Sequence, residues 1–395
     1  MPPKTWTLID TDRDVWFDEL RLGPGDIGLA SGDFSIAKRT LRGGLRDGLN
    51  VVEIDNGALR TTILCDRGMG IWRVWSGDLE VGWPSPVKGP VHPKYVPLDE
   101  AGGIGWLNGF DELVCRCGLE YNGAPEWSPD GKLKHTLHGR IANRPAHLVS
   151  ATIDPERREM AVTGVVDESR LFSNSLRLTS TVRTSFGSPR FSITDEISNP
   201  WSLPADLELL YHINIGPPLA AEGSTFDAPV EVMAPRDAAA IRGIETWHAY
   251  EPGRPGAPET VLYMELAADA AGDTGVLLTD PSGERGVSLR FKRTQFPFFA
   301  LWKNPISYSD GYCTGLEPCL NFPNVKSFEQ SRGRVAKVAP GETRRFEIEM
   351  EILHDAASLR AAQSRIAELQ RSVKPRVYEQ PRPEWSPAGV GFEAG

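Results

Sequence analysis

The dominant pattern along the chain is a two-residue alternation of apolar and polar side chains. From Arg345 to Ile352 it runs without a fault. On a strand this places Phe346, Ile348, Met350 and Ile352 on a buried face and the charges in water. Arg190 to Ile197 alternates with one slip at Asp195, and Val287, Leu289 and Phe291 repeat the pattern inside Gly286 to Arg293. Ala58 to Leu64, Leu176 to Val182 and Val261 to Leu266 are further strand-like runs. Asn56-Gly57, between Val51 to Ile54 and Leu59 to Leu64, predicts a type I′ hairpin. A helical period is clear once, over Asp355 to Val373, where Asp355 caps and Leu359, Ala362, Ile366 and Leu369 form a stripe. Many short strands and few helices predict an all-β, antiparallel sandwich or barrel, not βαβ units.

The 39 glycines and 32 prolines are spread along the chain, and no composition break marks its middle. Residues 46–354 are therefore read as one β-sandwich domain. Residues 1–45 are read as an N-terminal extension packed on it, and residues 355–395 as a C-terminal helix and Pro-rich tail.

Composition narrows the function classes. Apolar residues make up 40% and charged residues 24% of the 395 positions, which suits a folded core. The net charge of -10 repels phosphate backbones and anionic lipid, so neither nucleic acid nor a membrane is an expected partner. A local basic pocket for an anionic substrate stays compatible with it. Met1-Pro-Pro-Lys-Thr-Trp lacks the basic-then-apolar run of a signal peptide. No apolar stretch approaches the roughly 18 residues of a membrane span. Five cysteines, an odd number with no CxxC spacing, read as reduced thiols in a cytoplasmic protein. Cys115 and Cys117 share a strand face, for which packing is the reading preferred over a metal pair. Neither a metal nor a cofactor is expected.

The chain has no GxxxxGK[ST] loop, no HExxH and no GxSxG elbow. Its seven histidines can be weighed singly. His138 sits in Leu137-His138-Gly139-Arg140-Ile141-Ala142-Asn143, where glycine permits close approach and Arg140 and Asn143 offer polar contacts. His212 and Asn214 share one face of the apolar run Glu208 to Gly216, and a buried polar pair there needs partners. Glu317 is held between Gly315 and Pro318 in a weakly charged stretch. Each has a plainer reading as a satisfied core histidine or a loop end. Asp111, Glu112 and Arg116 form either a polar cluster at a cleft mouth or a salt-linked loop. Lys303 reaches either a ligand or, the plainer reading, solvent.

Together these segments resemble the aldose 1-epimerase (galactose mutarotase) superfamily, in a bacterial epimerase-like branch of DUF4432 type. The similar blocks are Asp66-Arg67-Gly68-Met69-Gly70-Ile71, Gly109-Phe110-Asp111-Glu112-Leu113, Cys117-Gly118-Leu119-Glu120, the His138 block, Tyr211-His212-Ile213-Asn214 and Glu317-Pro318-Cys319-Leu320-Asn321-Phe322-Pro323. They stand in the expected order and cover roughly Ile54 to Leu353. The resemblance implies an antiparallel β-supersandwich with few peripheral helices and a sugar cleft. It also implies a catalytic set in which Glu317 takes the anomeric proton, His212 protonates the ring oxygen and His138 assists or holds a hydroxyl. Arg67 contacts sugar hydroxyls in this reading. Asp111, Arg140, Asn143 and Asn214 join it in binding substrate, with Trp302, Trp106 or Phe296 under the apolar face of the sugar. The Asp that typical members carry between the second His and the Glu has no assigned counterpart here, which leaves the sugar open.

The expected function is thus a carbohydrate-active isomerase that opens and closes a sugar ring by acid–base transfer, each transfer contributing typically about 10²–10⁴-fold. The partner is a small sugar or sugar acid, and the assembly a monomer or homodimer. The competing readings are a lyase or carbon epimerase using the same His/Glu pair on a keto-sugar or uronate, and a non-catalytic sugar-binding module. Fold alone does not separate them.

Overall fold

In the computed structural model, residues 2–391 are described. They form antiparallel sheets whose faces follow the two-residue alternation, with short helices between strands and one long helix near the C-terminus. The chain divides into two compact units. Unit 1 holds residues 1–82, 87–208 and 336–349, and unit 2 holds residues 83–86, 209–335 and 350–395.

Unit 1 contains two ladders. In one, Lys4–Asp10, Leu148–Asp154, Glu159–Glu168, Leu176–Ser185 and Arg190–Ser198 pair in that order, each antiparallel to the next. In the other, Glu19–Leu22, Ser35–Thr40, Asn50–Asp55, Leu59–Leu64 and Gly70–Ser76 do the same. The first forty residues thus supply strands to both ladders. The Asn56-Gly57 hairpin forms, with Asp55 opposite Arg60, but not with the predicted turn. A type I′ turn needs positive φ at both central residues. Here Gly57 has it (φ 90°) and Asn56 does not. Instead the Asn56 side chain accepts from the backbone N–H of Ala58 (2.8 Å) and Leu59 (2.6 Å), an Asx-type turn.

Unit 2 is built on the antiparallel order Val230–Pro235, Thr260–Leu266, Phe298–Asn304, Cys313–Cys319 and the 209–215 part of Ala205–Ile215. One face of this sheet meets the pair Asp273–Thr279 and Gly286–Lys292 through aromatic packing. Phe299 stacks on Phe226 (5.9 Å) and Phe291 (6.1 Å), while Phe296 meets Tyr211 edge-on at 5.4 Å. Phe296 is therefore a core residue on the Tyr211 side of its neighbouring strand. His212, one residue on, faces the other way.

The predicted helix is Ala356–Arg371. Asp355 caps it, accepting from Ala357 (2.8 Å) and Ser358 (2.9 Å). Leu359, Ala362 and Ile366 pack with Leu277 and Leu353. The described part of the Pro-rich tail, to residue 391, is docked: Arg376–Val377 runs parallel to Val232–Met233, Trp385 is buried against Phe322 at 5.1 Å, and Pro387–Gly391 forms a short 3-10 helix. Among the described residues no helix is long and apolar enough to cross a membrane.

Candidate active site

The register of unit 2 gathers the His/Glu candidates without any loop. Ile213 stands opposite Leu316 and Leu210 opposite Cys319, which brings His212 level with Glu317. Asn214 stands opposite Gly315, Gly315 opposite Trp302, and Glu317 opposite Ala300. Directly opposed residues share a face, so His212, Asn214, Gly315, Glu317 and Trp302 emerge on the side away from the aromatic core. Small neighbours leave room there. A Cβ on Gly315 would lie 2.4 Å from Glu317 Oε1, 3.0 Å from His212 Cε1 and 3.2 Å from Trp302 Cε3. The glycine is the gap into which the three side chains lean.

His212 Nε2 stands 3.2 Å from Glu317 Oε1. On the far side of the ring, Nδ1 hydrogen-bonds the Asn214 amide oxygen, and Asn214 Nδ2 donates to the His212 carbonyl at 3.3 Å. That second bond fixes the orientation of the amide, so its oxygen faces Nδ1 and the Nδ1 proton is committed. Nε2 is then the ring nitrogen left to exchange a proton with Oε1. Burial pushes the Glu317 carboxyl well above the usual carboxylate range; Glu259 pushes the same way and Arg236 opposes them. Oε1 accepts no well-aligned hydrogen bond from the protein. The Trp302 ring lies edge-on to His212 at 5.3 Å. Its Nε1 donates to Glu259 at 2.7 Å, and Glu259 accepts in turn from Arg236 at 2.8 Å.

Unit 1 places the remaining predicted residues in two clusters. Arg67 is buried and donates to Glu112 Oε1 from Nε (2.8 Å) and Nη2 (2.5 Å), to the Gly109 carbonyl (2.8 Å) and to Asn143 Oδ1 (2.6 Å). Asp111, beside this pair, accepts from Trp72 Nε1 at 3.0 Å. Burial and the neighbouring Glu112 raise its carboxyl to about 7. Arg116 does not join them. It pairs with buried Asp195, at 2.9 Å through Nη2, and donates to the Gly68 and Met69 carbonyls.

The second cluster surrounds His138, which adopts φ 57° ahead of Gly139 at φ 77°. A Cβ on Gly139 would meet the Gly118 and Tyr121 carbonyls at 2.2 and 2.3 Å, so only glycine fits there. His138 Nδ1 donates to the Asn122 carbonyl at 2.8 Å, and its ring packs edge-on to Trp106 at 4.8 Å. In the neutral ring this puts the lone pair on Nε2. Arg140 pairs with Glu120 at 2.8 Å and lies 3.7 Å from Glu168. Glu168 is buried and accepts from the Leu119 and Glu120 N–H groups.

Three of the predicted binding residues retain a buried polar atom without a hydrogen-bond partner: Asp111 Oδ1, Arg140 Nε and Asn143 Nδ2. Folded proteins satisfy nearly all such atoms; residues elsewhere, among them Arg144, Thr279 and Glu317, carry one each as well. Sequence reasoning missed Arg236, Glu259 and Asn122, which lie outside the motif blocks; Glu120 stands in a quoted block, but its pairing with Arg140 was not foreseen. All five cysteines are buried thiols, and the described residues include no group of three or more His, Cys, Asp or Glu that could hold a metal. Lys303, expected in solvent, is half-buried and tied to backbone carbonyls.

Antiparallel sheets in this order are the fold of a galactose mutarotase-like protein. The solved structures bear on this directly. A candidate aldose 1-epimerase from Klebsiella pneumoniae superposes with a TM-score of 0.93 at 32% identity, covering 96% of this chain and 99% of the other. A galactose mutarotase-like protein from Clostridium acetobutylicum has a TM-score of 0.56 at 15% identity, covering 82% of this chain and 99% of that one. A galactose mutarotase related enzyme from Lactobacillus acidophilus has 0.53 at 13%, covering 76% and 97%. The last two show the fold alone. No curated protein matches the chain. Residues 46–352 match the family model described as "Domain of unknown function (DUF4432)", and the chain belongs to that family, within the galactose mutarotase-like superfamily.

Proposed function

We propose that this protein interconverts the anomers of a free sugar or sugar acid, with Glu317 as base and His212 as acid. The observation that carries the reading is the 3.2 Å approach of His212 Nε2 to Glu317 Oε1, with Nδ1 on the far side of the ring held by Asn214. Such a pair can take one proton and return another without net change. The substrate displaces the direct contact. Glu317 removes the anomeric O–H proton while His212 protonates the ring oxygen, and the bond between the anomeric carbon and that oxygen breaks. The carbonyl turns, and the reverse transfers close the ring on its other face.

Burial holds the Glu317 carboxyl above the usual carboxylate range, which makes its ionised form a stronger base toward an anomeric hydroxyl. Trp302, steadied by Glu259, offers a flat apolar face to a sugar ring. Within unit 1, Arg67 orients the side chain of Asn143. The name borne by the Klebsiella relative supports the same class of reaction.

The test is anomer exchange of candidate sugars followed by saturation-transfer NMR. Glu317→Gln and His212→Asn should each lower the rate by about 10²–10⁴-fold while retaining the fold. Equal rates in buffer and with wild-type protein across the sugars would sink the proposal. Deuterium from solvent appearing at carbon would move the pair to a carbon epimerase or lyase.

A further inference from the structure

Unit 2 holds a cavity of about 440 Å³ on the opposite face of the sheet from His212 and Glu317. Lys303 and Thr314, directly opposed, belong to this face, because Trp302 and Gly315 belong to the other. Residues 239–258 roof it, and Trp247, Tyr250 and Tyr312 supply aromatic walls. Tyr250 is fixed by a 2.9 Å bond to Thr314, and Tyr312 by a 2.6 Å bond to the Glu251 carbonyl. The roof is therefore tied to the sheet at two points.

The charges around this cavity do not balance. Lys303, Arg242 and Arg254 line it, against Glu251 alone. Glu251 is already paired with Arg254 at 2.8 Å. Lys303 Nζ donates to the carbonyls of Ala249 (2.7 Å) and Trp247, and lies 4.4 Å above the Tyr250 ring. Among the described residues no carboxylate stands within ion-pair distance of it. Its three stabilising neighbours are dipoles and a ring quadrupole, none of which neutralises an ammonium taken out of water. In keeping with this, burial pulls the Lys303 amine down to about 7. A half-buried cation whose one nearby opposing charge, Glu251, is already paired with Arg254 is compensated when an anion fills the hollow beside it. The volume falls within the roughly 300–1,000 Å³ range of small-molecule sites, and the mix of aromatic walls with few charged groups is theirs too.

We infer that the cavity walled by Lys303, Arg242 and Trp247 is a second binding site, for a monosaccharide-sized organic anion bearing a carboxylate or phosphate group. The anion sits against Lys303, with Arg242 at the rim, and the aromatic rings cover its carbon skeleton. This site is independent of the acid–base reading of Glu317.

The experiment is isothermal titration calorimetry of the full chain at pH 6.5 with glucuronate, glucose 6-phosphate, inorganic phosphate and neutral glucose. Saturable binding of glucuronate or glucose 6-phosphate is expected, weakened at least about tenfold in Lys303→Met and unchanged in Glu317→Gln. Thr246→Trp, which fills the cavity from its exposed rim and leaves Lys303 in place, should abolish the same signal. It keeps the test decisive if Lys303→Met fails to fold. Absence of binding by both organic anions overturns the proposal. So does binding that survives both substitutions, binding lost only in Glu317→Gln, or inorganic phosphate binding as tightly as the sugar anions.

Discussion

Gly315→Ala tests the geometry of the His212–Glu317 pair more sharply than removing either member. The added methyl would lie 2.4 Å from Glu317 Oε1, where real contacts stay beyond 3.0 Å, so the carboxylate must retreat by about 0.6 Å. It has little freedom to do so. His212 Cε1 at 3.0 Å and Trp302 Cε3 at 3.2 Å already crowd the same methyl, and Trp302 is tethered to Glu259. Overpacking of this kind costs about 1–3 kcal/mol. Removing a glycine from the unfolded chain returns about 0.4–1 kcal/mol, since the backbone at Gly315 lies outside the left-handed region. The net expectation is a loss of about 1–2 kcal/mol. Catalysis should suffer more than stability. A 1 Å misplacement costs about 10²-fold, so anomer exchange should fall by roughly 10- to 100-fold. Urea unfolding followed by near-UV circular dichroism gives the first number, and NMR exchange the second. Gly243→Ala is the control, because its methyl would meet nothing nearer than the Ala240 carbonyl at 3.8 Å. Wild-type stability and exchange rate in Gly315→Ala would refute the close packing argued here. A stability loss with unchanged exchange would instead remove this pair from the reaction.

Two further predictions concern unit 1. Asp111 holds its proton up to about 7 in the folded protein, well above its range of about 4 in an unfolded chain. Between those values the folded state binds the extra proton, so the contribution of Asp111 to stability is fullest below about pH 4 and is lost as pH rises through about 7. Asp111→Asn keeps an acceptor for Trp72 but lacks the charge. Its stability relative to wild type should improve from pH 5 to pH 8, and parallel urea curves at the two pH values would contradict the assignment. Arg67→Met leaves Glu112 buried without its cation, for which about 3–5 kcal/mol of destabilisation is expected by urea unfolding. A loss below about 1 kcal/mol would show that water reaches the pair, as it does at surface salt bridges.

The alternation of Arg345 to Ile352 already dictates a strand with one wet and one dry face, because period two is a local property of extended backbone. The same holds for the Asp355 cap and the stripe of the C-terminal helix. The His138, His212 and Glu317 blocks were legible as motifs because each is contiguous. What the sequence left open are relations between distant segments. That His212 faces Glu317 follows from the register of two strands about a hundred residues apart in sequence, and a slip of one residue would turn them to opposite faces. That Arg67 spends its guanidinium on Glu112 and Asn143, and Arg116 on Asp195, is equally a matter of which buried carboxylate comes within reach. The Asn56 turn shows the same division on a small scale. Its residues named a hairpin, but bonds from Asn56 Nδ2 to Thr184 and Ser185 drew the side chain into a different turn. Lys303, plausible in solvent by composition, is held against the Trp247 and Ala249 carbonyls by a segment that begins fifty residues earlier. Local chemistry fixes which conformation each segment prefers. Only the folded chain decides which polar groups must satisfy one another once water is gone.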